Sequence, residues 1–397
     1  MRTYLDNSAT TAVCPQAADA AVRMMTVCYG NPSSLHTMGI EAEKALSAAR
    51  ASVARLLGVP AETLLFTSGG TESNNLAILG GAAARIRQGR HAVTTAVEHP
   101  SVSAAFDQLE REGWTVTRVR PDPDGTLPAE RIVSACRDDT VFVSVMMVNN
   151  ETGARHPLER MIPAVRRTAP RALIHTDAVQ AAGQLPINVH RDKIDMLSMS
   201  AHKFHGPRGI GVLYVRRGIR PYTLISGGAQ EKGRRAGTEN LPAIAGMAAA
   251  LEDAVSGMEE RGRTMTALRE RLIAGLSKIP YSFLNGEREK RLPGNVSFCF
   301  EGIEGESLLL HLDFKGIAAS SGSACTSGSL DPSHVLLACG LPHEIAHGSL
   351  RLTISADNTA EEMDYISAAT AETVSLLRSM SPVWDRLERG ELAHFER

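Results

Sequence analysis

The chain has no apolar run approaching the ~18 residues that a membrane-spanning helix needs, and it carries no excess of either charge. Lys plus Arg number 42 and Asp plus Glu 44, for a net charge of −2. That balance leaves no electrostatic footprint for a general nucleic-acid binder. Cysteine is sparse and scattered: Cys14, Cys28, Cys136, Cys299, Cys325 and Cys339 include no CxxC pair. Metal binding by the protein alone is therefore not expected, and a 397-residue chain can bury a core that needs no disulfides. Free thiols in a reducing, cytoplasmic setting are the expectation. The opening Met1-Arg2-Thr3-Tyr4-Leu5-Asp6 shows no apolar signal-peptide core, and its acid comes too early for one.

What is present is ordinary globular composition, 43% hydrophobic and 22% charged, which excludes wholesale disorder. At about 150 residues per domain the length suggests two or three domains. Apolar, β-rich runs occur at 64–67, 92–97, 115–119, 141–148, 172–175, 196–199 and 210–215, with helical stretches such as 41–57, 73–87 and 101–112 between them. Several runs are continuously apolar, as suits strands covered on both faces. Strand–helix alternation predicts an α/β layer on a mostly parallel central sheet flanked by helices. From about Leu241 the texture changes: 243–279 predicts one or two long helices, and strands return at 295–300 and 350–354. The expected division is an N-terminal segment 1–14 joining a small domain, a large domain 15–255, and a smaller α+β domain 256–397. The charged stretch 385–397 predicts a solvated helix and tail.

Three short motifs carry chemistry. Ser200-Ala201-His202-Lys203 follows an apolar strand and places an amine at the carboxyl end of a sheet, where open α/β folds bind ligands. A lone lysine there is usually a surface residue. In Leu173-Ile174-His175-Thr176-Asp177-Ala178-Val179-Gln180 a strand ends in an acid, with an amide three residues on. The acid could hold a proton on a heteroaromatic nitrogen and the amide could bond a ring oxygen, although such an acid is as often a helix cap. In Phe66-Thr67-Ser68-Gly69-Gly70-Thr71-Glu72-Ser73 two glycines precede a threonine and a helix start, an arrangement that lets backbone N–H groups meet an anion. An amine for a Schiff base, an acid for a ring nitrogen and a phosphate cradle are the three needs of pyridoxal phosphate.

With those motifs, the sequence resembles the cysteine desulfurases of the NifS/IscS type, in the class-V aminotransferase family of fold-type-I pyridoxal phosphate enzymes. The likeness runs nearly end to end. It includes Tyr4-Leu5-Asp6-Asn7-Ser8-Ala9-Thr10-Thr11, Gly69-Gly70-Thr71-Glu72-Ser73-Asn74-Asn75, Glu98-His99 and Asn149-Asn150-Glu151-Thr152-Gly153. It continues through the Asp177 and Lys203 motifs to Arg235-Ala236-Gly237-Thr238-Glu239-Asn240, Ser321-Gly322-Ser323-Ala324-Cys325 and Arg351. The resemblance implies that Lys203 links to the cofactor and, once released by substrate, takes the α-proton. It implies Asp177 on the pyridine nitrogen, Gln180 on the phenolic oxygen, and His99 stacked on the ring as a proton carrier. It implies Gly70, Thr71, Ser200 and His202 at the phosphate, and Asn150 and Arg351 at the substrate carboxylate, a role that the flat guanidinium fork suits. Thr238 would reach the phosphate of a neighbouring subunit, so a homodimer with shared sites is implied.

Cys325 selects the reaction. Seven of the ten residues in 320–329 are Ser or Gly, a composition that favours a flexible segment, and burying it in an ordered core would be costly. The resemblance makes Cys325 the thiol that takes sulfur from L-cysteine, leaving alanine and a persulfide. An ordinary thiol of pKa ~8.5 is only a few per cent ionised at neutral pH, so Cys325 needs a base or cation nearby. His99 is one candidate. The persulfide would supply iron–sulfur cluster assembly, through a scaffold protein or other acceptor, or tRNA thiolation. Cys325 as a transient cluster ligand stays open. Two other readings also remain: a selenocysteine lyase or related lyase of the same fold, and a non-catalytic cluster-assembly scaffold. One departure is Ala229 in Gly227-Gly228-Ala229-Gln230-Glu231, where the family pattern has a third glycine. His205 is assigned to loop structure.

Overall fold

The structure, a computed structural model, describes residues 2–322 and 331–396. Seven strands form the main sheet in the order Leu64–Thr67, Gly211–Val215, Met196–Ser200, Leu173–Asp177, Thr140–Ser144, His91–Thr95, Thr115–Val119. Every pairing is parallel except the two made by Gly211–Val215. All seven expected strands are present, each within a few residues of its expected span. The alternation of side chains along a strand divides them between two cores. Phe66, Val93, Val143, Ile174, Leu197 and Val212 join one cluster, while Leu65, Ala92, Phe142, Leu173, Met196 and Leu213 join another. On the first face pack helices Thr37–Leu57, Leu158–Thr168 and Leu241–Ser256; on the second, Pro100–Arg111. Six of the seven strands are buried along their whole length, while the edge strand Thr115–Val119 keeps exposed and half-buried residues.

The helix expected at 73–87 is not regular. It runs as Gly70–Asn75, a π-helical turn Leu76–Gly80, and Gly81–Ala83. A Cβ at Gly80 would lie 2.5 Å from the Tyr222 carbonyl oxygen, so close backbone packing accompanies the widened turn.

The second unit holds an antiparallel sheet in the order Ser349–Thr353, Asn295–Phe300, Ser282–Leu284. Helices Met258–Leu276, Gly305–Phe314 and Ala360–Ser379 cover it through Leu272, Leu308 and Ile366. Leu5 is buried in this same core, and Thr3–Tyr4 pairs in parallel with Ile317–Ala318. The predicted solvated tail needs correction. After helix Pro382–Glu388 the chain turns back. His394 Nδ1 meets Glu301 Oε2 at 2.8 Å, and the rings of Phe395 and Phe283 pack edge to face. Charge content hid the one aromatic that docks it. The five described cysteines form no disulfide, and no helix among the described residues is long and apolar enough to cross a membrane.

Candidate active site

Parallel strands bring their carboxyl ends to one edge, and the chemistry-bearing residues collect there. Asp177 and Ser200 end their strands, Gly69-Gly70 follow Leu64–Thr67, Glu98-His99 follow His91–Thr95, and Asn150 lies beyond Thr140–Ser144. Gly70, Thr71, His99, Asn150, Asp177, Gln180, Ser200, His202 and Lys203 all line one cavity of about 270 Å³. Larger grooves of about 920 and 950 Å³ open on the second unit, but neither brings a lysine and an acid to the sheet edge.

Lys203 sits in the short 3₁₀ turn Ala201–Lys203. Its ammonium donates to the Ser8 carbonyl and, at 2.9 Å, to the Ala9 carbonyl. The Asp177 carboxylate is fixed by two donors: Asn74 Nδ2 to Oδ2 at 2.7 Å and the Val179 N–H to Oδ1 at 2.9 Å. Gln180 Nε2 donates to the Ser8 carbonyl at 3.0 Å. Gly69 has φ +153°, ψ −173°, a backbone region essentially reserved for glycine. A Cβ at Gly70 would fall 2.9 Å from Val179 Cγ2. Burial, with the Lys203 and Arg208 cations, holds the His202 imidazole down to about 4, so it is neutral at neutral pH.

His99 caps helix Pro100–Arg111, its Nδ1 accepting from the Ser101 N–H at 3.1 Å. Nδ1 is thus an acceptor, and in the neutral ring Nε2 carries the proton. Burial lowers the His99 pKa, as do the Lys203 and His334 charges, against an upward pull from Asp177. Glu98 is fully buried. Its Oε1 accepts from Thr95 Oγ1 and the Met146 N–H, while Oε2 has no partner among the described residues. Burial, reinforced by the Asp177 charge, pushes its carboxyl up to about 8. The folded chain therefore keeps a proton that the unfolded chain releases near 4.5. This stabilisation is complete below the unfolded value and is lost as pH rises through about 8. Thermal midpoints of the wild type should fall from about pH 5 to 8, and Glu98→Gln should flatten that slope; equal slopes would count against a protonated Glu98.

Two expected site residues, Thr238 and Arg351, do not line this cavity. Cys325 is outside the described residues. Thr238 is exposed and does not line the cavity. Arg351 is no edge-strand surface charge: its side chain is 2% exposed, with Nη1 donating to the Asn150 carbonyl and Nη2 to Asp6 Oδ1. Its Nε is buried with no hydrogen-bond partner among the described residues, as is Asn150 Oδ1. Its backbone pairs with Ser320, just before the cysteine segment. His205, in the left-handed region at φ +64°, ties down the N-terminal segment through Thr11, Ala12 and Cys14.

Sequence reasoning gave no role to Asn74 or to the Ser8 and Ala9 carbonyls. Asn74 could have been found, since it lies one helical turn after Gly70 and so shares its face. The carbonyls carry no side-chain signal.

The chain matches the model for aminotransferase class-V over residues 3–366. It is 47% identical over 380 residues to cysteine desulfurase IscS of Methanosarcina thermophila, covering 96% of this chain and 94% of that one. It is 46% identical over 385 residues to cysteine desulfurase NifS of Azotobacter vinelandii, with the same coverage. A solved structure titled NifS-like protein superposes with TM-score 0.89 at 37% identity, over 95% of this chain and 100% of that one. The chain belongs to the class-V aminotransferase family.

Proposed function

We propose that this chain is a cysteine desulfurase that uses pyridoxal phosphate, converting L-cysteine to L-alanine and supplying persulfide sulfur for iron–sulfur cluster assembly. The observation that carries it is the cavity in which Lys203, Asp177 and His99 converge, in a chain almost half identical to proteins named for that activity.

The cavity fits the cofactor. Asn150 Oδ1 is buried without a partner among the described residues, and Asp177 keeps acceptor capacity beyond its two donors. When bound, pyridoxal phosphate supplies an aldehyde for amines and a ring that draws electrons from the substrate. Lys203 is the amine that would hold the cofactor's aldehyde and would serve as the base for the substrate α-proton. Asp177 keeps a proton on the pyridine nitrogen. Gln180 donates to the phenolic oxygen. Thr71, Ser200, His202 and the N–H groups at the start of the Gly70 helix hold the phosphate. His99, with Nε2 as the ring nitrogen left for the cavity, stacks on the ring and carries protons between substrate and solvent. Arg351 offers Nε–H, with Asn150, to the substrate carboxylate.

Cys325 attacks the substrate sulfur as a thiolate. The Cβ–S bond breaks, an S–S bond forms, Cβ gains a proton, and the products are alanine and a persulfide on Cys325. The balance needs no outside oxidant. An acceptor thiol or scaffold protein then removes the outer sulfur.

The active form is a homodimer in which Thr238 reaches the partner's phosphate. Its exposure fits that role, as does the row of exposed apolar side chains Val22, Met25, Val27, Tyr29 and Leu35, up to 96% exposed at Leu35. The test is to load purified protein with pyridoxal phosphate, add cysteine and a thiol reductant, and measure alanine and sulfide together. Equimolar release is expected; cysteine consumed without alanine would sink the reading.

A further inference from the structure

The start of the short helix His334–Ala338 is fastened to the site by two consecutive side chains. Ser333 Oγ donates to Glu151 Oε2, in the residue next to Asn150. His334 Nε2 lies 3.0 Å from the carbonyl oxygen of Glu98, in the residue next to His99. A carbonyl only accepts, so Nε2 of His334 carries the hydrogen. That carbonyl belongs to the planar peptide that enters His99, so the bond restrains the backbone from which the His99 ring projects. From the other side the ring is gripped by Ser101, whose N–H and Oγ both meet Nδ1. His99 is thus held ahead by the helix it caps and behind by His334. The His334 side chain itself is exposed and packs in no core.

We propose that His334 is a positioning residue of the desulfurase reaction, holding the Glu98–His99 peptide so that Nε2 of His99 keeps its aim into the cavity. The proposal rests on the desulfurase reading. The groups acting on His99 are Asp177, which favours its charged form, and Lys203 and His334, which oppose it, all within a site whose burial also opposes charge. Losing the His334 imidazole removes one of the influences that lower His99, so His99 should then titrate at higher pH.

The experiment uses holoenzyme carrying His334→Ala or His334→Gln, with kcat and KM for cysteine measured across pH and a thermal midpoint for each. His334→Ala should lose about tenfold in kcat at nearly unchanged KM, the scale expected when a proton carrier drifts from its position. His334→Gln keeps an N–H for the Glu98 carbonyl and should recover most of that loss. In both variants the acid limb of the rate profile should move to higher pH, because neither keeps the imidazole that lowers His99. Thermal midpoints should match wild type. A kcat and acid limb unchanged in His334→Ala would overturn the proposal. So would equal losses in both variants with an unmoved acid limb, the mark of a merely structural contact. Titration of His99 followed by NMR reads the same shift without turnover: an unmoved His99 in His334→Ala fails this proposal, whereas wild type yielding no alanine fails the desulfurase reading.

Discussion

Replacing Lys203 by alanine is expected to cut alanine production by about 10³- to 10⁴-fold, the range for removing a group that serves as both covalent anchor and proton carrier. No neighbour can stand in. Lys203 is the one lysine lining the cavity, and its amine is placed by the Ser8 and Ala9 carbonyls at the edge of the sheet. The fold should survive, because Lys203 is only half-buried and two carbonyls losing a donor cost about 1 kcal/mol each. Borohydride reduction followed by peptide mass mapping checks the assignment. Wild type should carry the cofactor mass on the Lys203 peptide and the variant should carry none. A reduced adduct on a different lysine, with turnover intact, would remove Lys203 from its role.

Cys325→Ala should separate the two halves of the chemistry. The cofactor should still attach through Lys203, since none of the nine cavity-lining site residues has changed. Persulfide mass on the 325 peptide should vanish, and sulfide release from cysteine should drop at least about 10²-fold, as expected for loss of a nucleophile. The two variants therefore fail differently: one loses the anchor, the other keeps it and loses the sulfur acceptor. Undiminished sulfide from Cys325→Ala would assign the attack to another group.

Much of this was legible in the sequence because the physics is local. The continuous apolar runs 141–148 and 210–215 hold the buried strands Thr140–Ser144 and Gly211–Val215, the first strand ending four residues before its run does. Lys203, Asp177 and Gly70 follow strands directly, so a parallel sheet brings them to one edge. What was hidden is long-range or carried by backbone. Ser8 meets Lys203 across 195 positions through a carbonyl oxygen that every residue possesses. Glu98 reads as an ordinary acid until its burial is known. Arg351 stands in a strand-like stretch that shows nothing of Asp6, 345 positions away. The π-turn within 70–83 lies against the Tyr222 backbone, a close approach that periodicity does not register.

The first dozen residues are stitched to both units: Thr3 and Leu5 to the smaller one, Ser8 and Ala9 to the reactive amine, Thr11 to the turn that bears it. A tilt of the smaller unit against the larger is therefore expected to be felt at the Lys203 amine. A fusion partner or label attached at the front of the chain is expected to disturb the proposed site, far from it in sequence yet one strap-length away in space.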